Sequence, residues 1–240
     1  MKGKPQKIAE RTVLLAVRLV LGRVFVLRSV RIFFTKTDKM KYVSHLDFNR
    51  FMIRMIRKSK IPVWYSEGFN PHPYITFALP LSLGFESSYE VMDIRLEDDH
   101  FKNEEVLKAL SCQMPKGIKL LEASNPIMKS GEVAFASLCV DFSELSQKMS
   151  EDLYNFLSSE HIFAEKKTKK GAKKILDLKE YIKSFEIKEN NLLLTLAAGG
   201  SNNLNPKLLL EEFNKKSEEP LPPSFITRTM LYNEKMERFA

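Results

Sequence analysis

Two histidines, one aspartate and a row of cations fall within two short motifs. The stretch from Ser44 reads SHLDFNRFMIRMIRKS, and the stretch from Tyr65 reads YSEGFNPHP. An imidazole can serve as a general base, a ligand or a hydrogen-bond donor to phosphate, so His45 and His72 are candidates for any of these roles. With Asp47 they make a candidate acid–base or metal set, although their spacing does not demand one. Arg50, Arg54, Arg57 and Lys58 offer a different chemistry, because guanidinium and ammonium groups bind phosphate oxygens. Lys166, Lys167, Lys169, Lys170, Lys173 and Lys174 flank Gly171 and form a second basic cluster. Such a run carries positive potential but reads no base sequence.

The elements that position these groups can be read locally. Ser44 is a good helix cap, and Asp47 three residues later completes a pair resembling a capping box. The helix is expected to run to about Ser59, with Pro62 preventing its continuation. At 100° per residue, Phe48, Met52, Met55 and Ile56 share one side, and Arg50, Arg54, Arg57 and Lys58 share the other. A solvated face is the plain alternative. Yet the four cations have no acid between them, and each like-charge pair costs about 0.2–0.5 kcal/mol, which an anionic partner would relieve. In the second motif Ser66 opens a loop in which Gly68 can supply a positive φ. Pro71 and Pro73 fix their own φ and constrain Asn70 and His72 before them. His45 lies at a helix start, whose dipole favours the neutral imidazole. Both histidines have an ordinary structural alternative, as a helix-start contact and a braced loop residue. No Walker loop, GxGxxG, HExxH or GxSxG occurs.

The wider order of elements predicts an α+β protein. Val30 to Lys36 reads as a strand, IPVWYS from Ile61 as a second, Tyr74 to Leu79 as an extended piece, and Tyr89 to Glu97 as a strand. A helix from Asn103 and a strand from Gly117 to Asn125 complete a β-α-β-β-α-β order, the ferredoxin-like split βαβ unit. The remainder repeats that order without sequence identity. A long strand ends at Phe142, and Ser143 is expected to cap a helix from Glu144 to about Glu160. A strand then enters the lysine run, and two strands flank Glu189 to Asn191. Asn205 caps a helix with Pro206 at its first position, and a strand begins at Ser224. The expected plan is two tandem ferredoxin-like halves, residues 30–125 and 131–233, preceded by a basic segment, residues 1–29.

Composition narrows the function classes. The 240 residues are 44% hydrophobic and 28% charged, which is globular. Cys112 and Cys139 form no CxxC or CxxxCxxC set, so the chain cannot ligate an iron–sulfur cluster by itself and no metal site is expected. Reduced thiols and a cytoplasmic location are the expectation. The net charge is +8, but residues 1–29 carry +6 of it, so the case for an anionic partner rests on local patches. That first segment looks like a signal peptide, yet Arg18 and Arg23 interrupt its apolar run and no cleavage site follows. It is too short and charged to span a bilayer. A surface amphipathic helix and an added structural helix remain open; upstream sequence read from an early start codon is preferred.

SHLD opening an arginine-rich helix, then YSEGFNPHPYITFALPLSLGFES, YEVMDIRL and KKGAKKILDLKEYI, resembles the radical SAM-associated protein family. This is a bacterial domain of unknown function fused to, or encoded beside, cobalamin-binding-type radical SAM proteins. The resemblance covers Val30 to about Tyr232 and leaves out the first segment. It implies an accessory role beside a radical SAM protein, with no cofactor in this chain. The partner would carry the iron–sulfur cluster, S-adenosylmethionine and cobalamin. Gene neighbourhoods with an RNase E/G-type ribonuclease and large-subunit ribosomal proteins imply RNA or ribosome-related work. The tandem plan also resembles the RNA-binding repeat proteins of CRISPR RNA processing, an analogy of fold only. The leading expectation is a non-catalytic, RNA-binding accessory module using the two basic patches. The alternatives are a metal-independent RNA endonuclease or RNA-modifying enzyme using His45 and His72, and an assembly scaffold without RNA affinity.

Overall fold

Alternating apolar residues carry the first strand, β1 (Arg28–Lys36). Val30, Ile32 and Phe34 are buried toward one side and Phe33 toward the other. The strand begins two residues before Val30 because Arg28 is tied down. Its guanidinium donates to Asn103 at 2.6 Å and Asn125 at 3.1 Å, and to the Phe101 carbonyl. The computed structural model describes residues 27–98, 100–167, 173–200 and 202–240. The expectations for residues 1–26 lie outside the described residues.

Helix α1 (His45–Ser59) starts where its cap predicts. Ser44 Oγ accepts from the Asp47 amide at 3.2 Å and donates to the Asp47 carboxylate at 2.8 Å. The helix stops at Lys60, which takes the left-handed conformation (φ 58°) ahead of Pro62. The IPVWYS segment is not a regular strand; it makes isolated bridges, Val63 to Leu96 and Tyr65 to Pro73. The extended piece after it shortens to β2 (Ile75–Phe77), followed by β3 (Glu86–Leu96), α2 (Asn103–Ser111) and β4 (Ile118–Ser124).

The second half contains β5 (Phe135–Phe142), α3 (Gln147–Ser158), β6 (Phe163–Lys167), β7 (Lys173–Asp177), β8 (Ile182–Lys188), β9 (Asn191–Ala197), α4 (Pro206–Lys216) and β10 (Ser224–Tyr232). Helix α3 starts later than expected, with Ser146 as its cap in place of Ser143. The Ser143 amide is taken by the Pro223 carbonyl and the Leu145 amide by Asn190, so residues 143–145 are tied to neighbouring chain and not to a first helical turn.

The result is a mixed α+β fold, with a large mixed sheet and four helices among the described residues. The sheet runs β4-β1-β3-β10-β5-β9-β8, with β2 also on β3, while β6 and β7 form a separate hairpin. All neighbours are antiparallel except β3 and β10, which pair in parallel through Glu86 with Thr227 and Ser87 with Arg228. Thus β3 meets β10 near its start and β2 near its end.

Helices pack on the sheet through two apolar clusters. Val30, Ile32, Phe34 and Met92 meet Met52 and Ile56 of α1 and Val106 and Leu110 of α2. Leu138, Val140, Leu192 and Leu194 meet Leu153 and Leu157 of α3 and Leu209 and Phe213 of α4. Full burial of each such side chain contributes about 1.5–3 kcal/mol. A third cluster joins Phe33, Tyr89 and Val91 to Leu231 and Phe239, so the C-terminal tail covers part of the face opposite α1 and α2. Tyr89 donates to the Phe239 carbonyl at 2.7 Å and accepts from Arg238 at 2.9 Å. Among the described residues no helix is long and apolar enough to cross a membrane.

Candidate nucleic-acid interface

The burial of Phe48, Met52 and Ile56 fixes how α1 rotates, and this turns its cations outward. Arg50, Arg54, Arg57 and Lys58 are all exposed. Arg50 meets Asp47 at 3.2 Å, one turn back. Both side chains are nearly two-thirds exposed, so this pair contributes only about 0.2–1 kcal/mol. Arg54, Arg57 and Lys58 meet no acid among the described residues. Arg57 instead lies 5.9 Å from the Tyr65 ring and donates to the Pro71 carbonyl at 3.3 Å. The end of the basic helix and the proline loop therefore touch.

The loop is the tip of a narrow hairpin. The Ser66 amide donates to the His72 carbonyl at 2.9 Å, and the Tyr74 amide to the Trp64 carbonyl at 2.9 Å. Gly68 has φ +122°, which an L side chain rarely adopts, and it carries the chain round the tip. Phe69 beside it is fully exposed. His72 Nδ1 lies 3.1 Å from the Asn70 carbonyl and 3.2 Å from Ser66 Oγ. A carbonyl oxygen only accepts, so the hydrogen of this bond sits on Nδ1 and leaves Nε2 as the second ring nitrogen of an exposed side chain.

His45 is placed differently. It lies about 18 Å along α1 from Arg57, given a rise of about 1.5 Å per residue. Its ring meets Phe77 edge-on at 5.2 Å. Burial pushes its pKa below the ordinary imidazole value; Glu90 opposes this, while Lys36 and Arg228 reinforce it. The structure thus brings His72 to the Arg57 end of α1 and holds His45 at the other end. The carboxylate of Asp47 is occupied by Ser44 and Arg50. Among the described residues no group of three His, Cys, Asp or Glu side chains is placed to hold a metal ion. Cys112 is exposed and Cys139 partly buried, both as free thiols.

The lysine cluster is carried on the β6–β7 hairpin, whose backbone pairs Lys166 with Lys174 and Lys167 with Lys173. Lys169 and Lys170, and the side chains of Lys166, Lys167, Lys173 and Lys174, lie outside the described residues.

Sequence reasoning missed a set of buried charges. Glu90 and Arg228 pair where the two halves of the sheet meet, with side chains only 5% and 3% exposed. Arg228 also donates to the Leu79 carbonyl at 3.0 Å. Lys36 is buried beside them, donates to the Val43 carbonyl at 2.9 Å, and has its pKa pushed down chiefly by burial. Arg31 holds Asp93 through two 2.8 Å bonds across directly paired strand positions. Opposite charges at matching positions of two strands were the available signal. At the base of the lysine hairpin His161 meets Asp177 at 2.6 Å and stacks on Phe163. Its signal was symmetry, since both residues stand near equal distances from the hairpin centre.

A comparison with curated proteins finds no match. The model of a family described as an uncharacterized protein conserved in bacteria (DUF2344) matches residues 29–206, most of the chain and all of both motifs, and the chain belongs to that family.

Proposed function

We propose that the chain is a non-catalytic accessory module that binds RNA, or a ribosome-related RNA substrate, through the basic face of α1 and the lysine hairpin. One observation carries this reading. Arg54, Arg57 and Lys58 stand exposed on one helix flank with no acid from elsewhere in the described chain to neutralise them. Phosphates would relieve their mutual repulsion and release counterions on binding. The pairing orders β4-β1-β3-β2 and β10-β5-β9-β8 support reading the two halves as tandem ferredoxin-like units, a plan compatible with RNA binding. A working partner of the radical SAM class rests on the resemblance of the SHLD and GFNPHP motifs. The iron–sulfur cluster, S-adenosylmethionine and cobalamin would belong to that partner. The separation of His45 from His72 along α1 weighs against their acting as one acid–base pair.

The test is a titration of the full chain with single-stranded RNA across salt concentrations. Changing Arg50, Arg54 and Arg57 together to Ala should weaken binding and reduce the salt slope by about 2, at about 0.7 per lost phosphate contact. Absence of RNA binding at low salt would remove the reading. In that case, co-purification with a radical SAM protein that survives ribonuclease would favour an assembly scaffold.

A further inference from the structure

The face of the first half turned away from α1 and α2 holds a feature that the basic-patch reading does not use. Along β3 the side chains of Tyr89, Val91, Asp93 and Arg95 alternate with the buried Met92 and Ile94. The C-terminal tail packs over Tyr89 and Val91. Beyond it lies an open groove of about 820 Å³ between the sheet and the segment 125–130. Arg28, Tyr74, Thr76, Asp93, Arg95 and Asn125 are among its walls.

Its chemistry is cationic and aromatic. The Arg95 guanidinium lies 4.3 Å from the Tyr74 ring centroid and 5.6 Å from that of Trp64, and the two rings are 5.4 Å apart. Arg95 meets no acid among the described residues. Among the described residues Asp93 is the one acid that lines the groove, and both its oxygens accept from the buried Arg31. The Arg28 guanidinium is turned to Asn103 and Phe101 on the α2 side, and Lys129 adds a further cation at the groove's rim. A planar cation backed by an aromatic ring is a stacking surface for another flat ring. The hydroxyls of Ser29 and Thr76 and the amide of Asn125 supply hydrogen-bonding groups around it.

The hairpin that carries this platform also links it to the basic helix. Tyr65 lies under Arg57 on the α1 side, while its neighbour Trp64, and Tyr74 on the returning strand, lie against Arg95. We infer that the groove takes an unpaired base of a single-stranded RNA, stacked on Arg95, with the flanking phosphates leading round the hairpin to Arg57 and Arg54. This rests on the RNA-binding reading above and adds to it the strandedness of the substrate and the position of a base.

Trp64 is the chain's single tryptophan, so its fluorescence reports on this platform alone. The full chain is titrated with a short oligoadenylate and with a duplex of the same length. Saturable quenching by the single strand, and weaker quenching by the duplex, is expected. Loss of one stacked base should weaken oligoadenylate binding by about 5- to 150-fold in Arg95→Ala and also in Arg95→Lys. Arg95→Lys keeps the charge, so its salt slope should match the unaltered chain, and its circular dichroism checks the fold. The variant lacking Arg50, Arg54 and Arg57 should instead lose salt slope and keep full quenching at saturation. If oligoadenylate binds but Trp64 stays unquenched and Arg95→Lys binds normally, the groove inference fails and the basic-face reading stands. Equal quenching by the duplex overturns the unpaired base. No binding to either at low salt overturns both.

Discussion

Helices α1 and α3 hold the same place in the two halves, as the first helix after each half's opening strand, yet they differ in charge. Each is capped by a serine in extended backbone whose hydroxyl accepts at 3.2 Å from the amide three residues on, Asp47 for Ser44 and Met149 for Ser146. Each buries leucine-sized or larger side chains against the sheet. But α1 carries four cations and one acid, whereas α3 carries Lys148 against Glu151 and Asp152. Lys148 meets Glu218 at 3.5 Å, and on α4 Lys215 meets Glu212 at 2.5 Å. Helix α3 therefore carries more acid than base, whereas α1 leaves Arg54, Arg57 and Lys58 without an acid among the described residues. The fold tolerates either arrangement, so the row of cations on α1 is not a requirement of packing.

Reversing that asymmetry should have the largest effect. Arg54→Glu with Arg57→Glu should lower RNA affinity by about 100-fold or more, since attraction to phosphate becomes repulsion. Lys148→Glu on α3 should change it less than about threefold, and equal losses would erase the distinction between the helices. Packing should show the opposite result, with parity. Met52→Ala in α1 and Leu153→Ala in α3 should each cost about 2–5 kcal/mol in urea unfolding, because both side chains are buried in dense clusters. Next come the caps, where Ser44→Ala and Ser146→Ala should each cost about 1 kcal/mol. A much larger loss at Ser44 would point to a role for its bond to the Asp47 carboxylate beyond capping.

The smallest effect is a pair of opposite pH dependences. His45 has its folded pKa pushed below 6.5, chiefly by burial, so its contribution is present above about pH 6.5 and lost as pH falls through the folded value. His161 has its folded pKa raised, first by its hydrogen bond to Asp177, so its contribution is full below about pH 6.5 and lost as pH rises through the folded value. Asp177 is itself held below 3.8, first by the Ile162 amide, so its own contribution is lost only in stronger acid. Thermal unfolding across pH 5–8 should therefore lose its acid-side slope in His45→Phe and its alkaline-side slope in His161→Asn. The same direction of change in both would contradict the two environments.

Much of this contrast was legible because it is local. Helical spacing separates Met52 and Ile56 from Arg54 and Arg57, and Ser44 and Asn205 declare their caps in the sequence. Strand alternation marks β1, β3 and β5. The failures lie where distant chain decides the outcome. IPVWYS has the composition of a strand, but only Val63 and Tyr65 find bridging partners. Ser143 is as good a cap as Ser146, but Pro223 and Asn190 claim the amides beside it. The meeting of Glu90 with Arg228 joins positions 138 residues apart, and no local pattern announces it. For the site, the cationic flank was readable from spacing, whereas the contact of Arg57 with Pro71 and the stacking of Arg95 on Tyr74 needed the tertiary path of the hairpin.

The parallel contact between β3 and β10 also has a bearing on how the chain comes to be folded during translation. Ser87 hydrogen-bonds to Arg228 across 141 residues, and β10 sits in the middle of the sheet, between β3 and β5. A nascent chain can pair β1, β3 and β4 early, but the open flank of β3 must wait until the segment around Arg228 has left the ribosome. Until then Glu90 has no guanidinium beside it and must stay hydrated. Completion of the sheet therefore has to follow the synthesis of β10 and closes a long loop when it occurs.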